Sequence, residues 1–120
     1  MAQPQTDLRN ALGSTDEVTI SVTGRKSGRR LSFPVWFVLE GDTLLLLPVK
    51  GLETEWYQNL REQPAIGLGA GGVTFTTEAT LKTDAESVRD VVAKFQDRYG
   101  EGTENSLYSG FDAAVTVSLR

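Results

Sequence analysis

The sequence predicts a small, mainly β domain: six antiparallel strands curled into a barrel, with two inserted helices. Three observations carry this. Apolar and polar residues alternate at Val18, Ile20 and Val22, and again at Ala113, Val115, Val117 and Leu119, the period of a strand with one buried face. Short apolar runs are separated by glycine-bearing turns at Ser27-Gly28, Gly41-Asp42 and residues 69–72. Helical spacing appears only twice, without the regular β-α-β alternation of a doubly wound sheet.

The first alternating run places a half-buried strand over Glu17 to Thr23. Leu31 to Leu39 follows, with Phe33, Val35, Phe37 and Leu39 on one side and Trp36 and Val38 on the other, so this second strand needs cover on both faces. Gly41-Asp42 turns the chain into a third strand, Thr43 to Leu47, and the three together read as an antiparallel meander. Leu52, Trp56 and Leu60 recur every four residues, which predicts a short helix over Glu53 to Glu62, stopped before Pro64. On it, Tyr57 and Asn59 are expected to face outward or to cap the adjoining loop.

Ala65 to Leu68 and Val73 to Leu81 read as a hairpin, the second arm directing Phe75, Thr77, Ala79 and Leu81 one way. Asp84 is a suitable N-cap for a helix over Ala85 to Tyr99, with the stripe Val88, Val91, Val92 and Phe95. Gly100 ends it, and Glu101 to Gly110 reads as a polar loop before the last strand. Gly67, Gly69 and Gly72 spell G-x-G-x-x-G, but a dinucleotide fingerprint needs its third glycine to open a helix. Val73-Thr74-Phe75-Thr76-Thr77 is strand-like, so these glycines are assigned to a hairpin turn.

With 120 residues the chain is one domain over 17–120, preceded by residues 1–16 as a tail or a short, loosely held helix. A formal charge of −4 argues against general nucleic-acid binding, which leans on broad positive potential. There is no cysteine and no histidine. This removes disulfides, thiolate catalysis, the usual metal ligands and the usual general base near neutral pH, so no metal site is expected. Any proton chemistry falls to Tyr, Lys, a carboxylate or water. No apolar run is long enough for a signal peptide or membrane span, and a cytoplasmic location is expected.

Against that acidic background, four of the twelve Lys and Arg lie at Arg25, Lys26, Arg29 and Arg30. A basic turn is ordinarily a solvated loop. It can also aim amides and cations at one phosphate or carboxylate, and Phe33-Pro34-Val35-Trp36 follows within reach of a planar group. Pro34 offers no N–H to a ladder and marks an edge, bulge or mouth.

Thr23-Gly24-Arg25-Lys26-Ser27-Gly28, Pro34-Val35-Trp36, Lys50, and Trp56-Tyr57-Gln58-Asn59-Leu60 with Pro64 occur in an order and spacing that resembles the deazaflavin-dependent nitroreductase family over residues 18–68. That family is the small split β-barrel branch of the oxidoreductases that use coenzyme F420. The resemblance implies an FMN-binding-like split barrel and hydride transfer from reduced F420 to a small planar acceptor, such as a quinone, a nitroaromatic or an activated alkene. It implies that Arg25, Lys26 and Ser27 hold a phosphate, and that Lys50, preceded by Val49, meets the acidic tail. Phe33, Pro34, Val35 and Trp36 would position the ring, while Trp56 would pack beside the tail as well as in the core.

Two positions depart from the family pattern. Leu31 stands where a basic residue is common, three before the proline, and Val49 stands where a small hydroxyl is common before the lysine. An FMN-dependent oxidoreductase on the same barrel and a non-catalytic ligand-binding module remain alternatives, and homodimer formation is open. Tyr99, Tyr108 and Phe111 either anchor the late loop or cover the substrate side. No catalytic side chain is nominated, and water, Tyr99 and Tyr108 are the candidate proton donors.

Overall fold

The computed structural model describes residues 4–15, 17–48, 54–99 and 112–119. In chain order its elements are α1 (Pro4–Leu12), β1 (Glu17–Thr23), β2 (Arg30–Trp36), β3 (Val38–Glu40), β4 (Thr43–Leu46), α2 (Glu55–Glu62), β5 (Ala65–Ala70), β6 (Val73–Lys82), α3 (Ala85–Tyr99) and β7 (Ala114–Ser118). All strand pairs are antiparallel, in the order β2-β1-β5-β6-β7-β4-β3.

The two ends of that order, β2 and β3, are separated in sequence by Phe37 alone. A flat sheet cannot satisfy this. The sheet must curl until its edges meet at Phe37, which is buried at that corner. Seven strands therefore replace the six expected, and α1 stands beside the two inserted helices as the short-helix alternative for residues 1–16. The predicted strand Leu31 to Leu39 is two strands, because the chain leaves β1 as a partner after Trp36 and takes up β4 from Val38. For the same reason the expected meander is broken: β2 and β4 are not neighbours. Continuous apolar alternation through residues 31–39 carries no sign of a change of partner.

Strand β4 is covered on both faces. Leu44 and Leu46 point into the main core with Ile20, Ile66, Val115 and Val117, while Leu45 and Leu47 pack with Val88, Val91 and Phe95 of α3. Its unbroken leucine run thus serves two apolar layers. β2 is covered on one face only: Leu31, Phe33 and Val35 pack against the core, and Trp36 is 49% exposed.

Helix α3 has the predicted bounds. Asp84 caps it by accepting from the Ser87 backbone N–H at 2.9 Å, and hydrogen bonding to Ser87 holds the Asp84 carboxyl below its ordinary range. Helix α1 is docked rather than loosely held: Leu8 and Leu12, one turn apart, are both buried in the main core, and Arg9 pairs with Asp42 in the β3–β4 turn. Gly71 and Gly72 both have positive φ, 56° and 82°, the conformation of a two-residue hairpin turn with its strands' right-handed twist. Of the three glycines assigned to the turn, Gly72 lies in it, whereas Gly67 and Gly69 lie in β5, and a strand rather than a helix follows Gly72.

Candidate functional site

The basic turn lies between β1 and β2. Within it the Gly24 N–H donates to Arg29 O at 2.7 Å, the Gly28 N–H to Gly24 O at 2.8 Å, and the Arg29 N–H to Ser27 Oγ at 3.2 Å. The turn is anchored from outside by helix α2. Trp56, Asn59 and Leu60 stand at i, i+3 and i+4 and share one face, and all three are buried; Tyr57 is buried beside them. The expectation that Tyr57 and Asn59 face outward or cap the loop is therefore corrected in its first part, both being buried, while Asn59 caps the basic turn through the Arg25 N–H. For Asn59 the signal was present in the spacing, since a residue three after Trp56 and one before Leu60 lies on their face.

Asn59 is 3% exposed, and its Oδ1 accepts twice from Arg25: from the backbone N–H at 3.1 Å and from Nη1 at 2.7 Å. Arg25 Nη2 continues to Glu55 Oε2 at 3.0 Å. The Arg25 guanidinium is thus engaged by α2. By contrast Lys26, Ser27, Arg29 and Arg30 are exposed, and among the described residues no carboxylate lies within ion-pair distance of Lys26, Arg29 or Arg30.

Two kinds of donor are left over. The consecutive backbone N–H groups of Lys26 and Ser27 have no protein partner among the described residues, and neither does the Asn59 side-chain amide nitrogen. An exposed N–H is satisfied by water, but a buried donor without a partner carries a desolvation cost and marks a place where a missing group completes the bonding.

The other nominated residues divide by strand parity. Phe33 and Val35 face the core, whereas Pro34 and Trp36 lie on the outer face, so the four side chains do not form one platform. Arg30 and Trp36, at the ends of β2, are about 20 Å apart at the rise of a strand. Trp56 is buried in the main core. Val49, Lys50, Tyr108, Phe111 and the expected loop at 101–110 lie outside the described residues, as does the side chain of Tyr99. Burial pushes the Tyr57 phenol above its ordinary pKa, with Arg61 opposing and Asp112 adding to the rise. No group of His, Cys, Asp and Glu among the described residues is arranged to hold a metal ion, and none of their helices is long and apolar enough to cross a membrane.

The sequence matches the F420H(2)-dependent quinone reductase family over residues 4–107. No curated protein matches it. Among solved structures, the F420-H2 dependent reductase FDR-A is 19% identical, with 86% of this chain and 94% of that chain covered and a TM-score of 0.67. A protein described as a domain-swapped dimer is 20% identical, with 95% and 94% covered and a TM-score of 0.68. A conserved protein of Mycobacterium tuberculosis, Rv2991, is 17% identical, with 100% and 82% covered and a TM-score of 0.73. At these identities the likeness is one of fold.

Proposed function

The chain belongs to the F420H(2)-dependent quinone reductase family and is an F420-dependent reductase, and from that premise we propose that its acceptor is a small planar molecule, a quinone before a nitroaromatic or an activated alkene. The observation that carries the site is the turn fixed on α2 through Asn59. It holds Lys26 and the adjoining N–H groups of Lys26 and Ser27 toward solvent, with a buried amide donor behind them. This donor set fits an anionic ligand: a phosphate takes a cation and two neighbouring amides in the manner of a backbone nest.

In this reading Lys26 and Ser27 hold the coenzyme phosphate. Arg25 acts indirectly, as the brace that sets the turn against Asn59 and Glu55. Pro34 and Trp36 offer the ring a flat outer surface on β2, and Lys50 meets the acidic tail as the resemblance implies. Reduced deazaflavin, when bound, supplies the hydride. The chain's residues orient the two reactants, and in the absence of histidine and cysteine the proton comes from water or a tyrosine. A homodimer is part of the proposal, supported by the likeness to a domain-swapped dimer and by Trp36, the exposed large apolar side chain among the described residues.

The test is a fluorescence titration of the purified protein with oxidised F420 and, separately, with FMN. F420 is expected to bind more tightly, because its tail adds carboxylates to the phosphate that both ligands carry. Equal or tighter binding of FMN would remove the F420 assignment. Turnover of menadione by reduced F420, compared with a nitroaromatic, then ranks the acceptors.

A further inference from the structure

A concavity lies on the outer face of the sheet, away from helix α2. It has a volume of about 420 Å³ and runs across β1, β5 and β6. Its floor is β5, where the outward positions are Gly67 and Gly69. Its rims are Thr19 and Ser21 on one side and Thr74 and Thr76 on the other, paired in register with those two glycines. The rim rows are two strand spacings apart, about 9–10 Å, and at the Gly67 end the Arg30 guanidinium lies between them.

The two glycines have different causes. At Gly67 a Cβ would come within 3.0 Å of Arg30 Nη2, so the missing side chain makes room for the Arg30 guanidinium, which crosses β1 to reach β5. At Gly69 a Cβ would meet nothing closer than 3.7 Å, an ordinary contact, and its backbone has no positive φ. Among the described residues no packing or backbone requirement selects glycine there, although glycine weakens a strand interior. Such a residue marks a place where another group approaches the backbone closely.

Among the described residues Arg30 is the one charged residue lining the groove. It donates to Thr23 Oγ1 at 3.3 Å, and no described carboxylate pairs with it. A planar guanidinium with donors to spare matches a carboxylate in a two-point contact. The flat floor beyond Arg30, at Gly69, takes a planar body, and the hydroxyl rims take its polar edges. We propose that this groove binds a small planar carboxylate, its acid group on Arg30 and its ring or conjugated plane lying over Gly69. The site takes one cation, Arg30, from the end of the basic turn where β2 begins, uses neither Lys26 nor Ser27, and does not depend on the coenzyme assignment.

Benzoate is the probe. Followed by the amide NMR signals of Gly67, Gly69, Gly71 and Gly72, it is expected to shift these signals saturably while leaving those of Lys26 and Ser27 in place. Benzamide, the neutral isostere, should bind at least ten-fold more weakly, and Arg30→Gln should weaken benzoate by a similar factor. Gly69→Thr fills the floor with a strand-favouring residue, so it should abolish the shifts with an unfolding midpoint no lower than the parent's. The proposal is overturned if benzoate produces no saturable shift, if benzamide or Arg30→Gln binds equally well, or if F420 displaces benzoate and so makes the groove part of the coenzyme seat. It is also overturned if Gly69→Thr changes the sedimentation coefficient from that of a dimer to that of a monomer, because the occupant would then be a second copy of the chain.

Discussion

Asn59 and Arg25, 34 residues apart, are joined by two hydrogen bonds to a single oxygen, one from the backbone and one from the guanidinium of Arg25. The pair ties the turn after β1 to helix α2, so the position of the exposed cations is set by a helix that carries none of them. Asn59→Ala leaves the Arg25 donors without their acceptor and is expected to cost about 1–3 kcal/mol in urea denaturation. It should weaken F420 in the same preparation. Asn59→Asp keeps an acceptor for Arg25 but replaces the free amide donor with a negative charge, and it should weaken F420 at least ten-fold while Arg25 stays in place.

Lys26 and Arg25 separate binding from folding. Lys26 is exposed and makes no described ion pair, so Lys26→Ala should leave the denaturation midpoint within error of the parent. If it contacts the phosphate, that variant binds F420 roughly ten-fold to a hundred-fold more weakly, the equivalent of one charge-assisted contact of about 1.5–3 kcal/mol. Arg25→Ala should lower both the midpoint and the affinity, because Arg25 braces the turn. A Lys26→Ala protein that melts early yet binds normally would make the turn structural.

Phe37 is the corner at which the two edges of the sheet meet, and it is 4% exposed. Truncation to alanine opens a cavity where two ladders are joined, for an expected loss of about 3–5 kcal/mol by equilibrium denaturation. Phe37→Leu should recover most of that loss. Equal losses for the two variants would point to the aromatic ring itself.

Tyr57 gives a pH test. Burial raises its pKa in the folded protein, so between the unfolded and folded values the native state retains a proton that the unfolded state has lost. Its contribution is complete below the unfolded value, near pH 10, and declines as pH rises through the folded one. Stability measured from pH 8 to 11 should fall more steeply for the parent than for Tyr57→Phe. Parallel curves would show that the phenol does not contribute to the alkaline loss.

Strong periodicity made much of the fold readable. Val18, Ile20 and Val22 marked β1, and Asp84 with Val88, Val91 and Phe95 marked α3, both with the bounds observed. The break at Phe37 was hidden because residues on both sides of it are apolar and alternate without interruption; partner exchange depends on curvature, which is a property of the whole sheet. At the site, the sequence identified the basic turn but gave its four cations equal standing. Only tertiary contacts distinguish Arg25, held by Asn59 and Glu55, from Lys26, which is exposed. The groove over Gly69 was read only as part of a turn motif, because its facing rim residues, Thr19 with Thr74 and Ser21 with Thr76, are 55 residues apart in the sequence.

Strand β7, the last strand in the chain, is internal in the sheet order, with β6 on one side and β4 on the other. During synthesis the ladders β2-β1-β5-β6 and β4-β3 can each form early, but they cannot be hydrogen-bonded to one another until residues as late as Ser118 have left the ribosome. A nascent chain stalled before that point carries two open strand edges, those of β6 and β4, each able to pair with a neighbouring chain on a polysome. C-terminal truncation that removes β7 should therefore yield aggregates rather than a smaller soluble fragment.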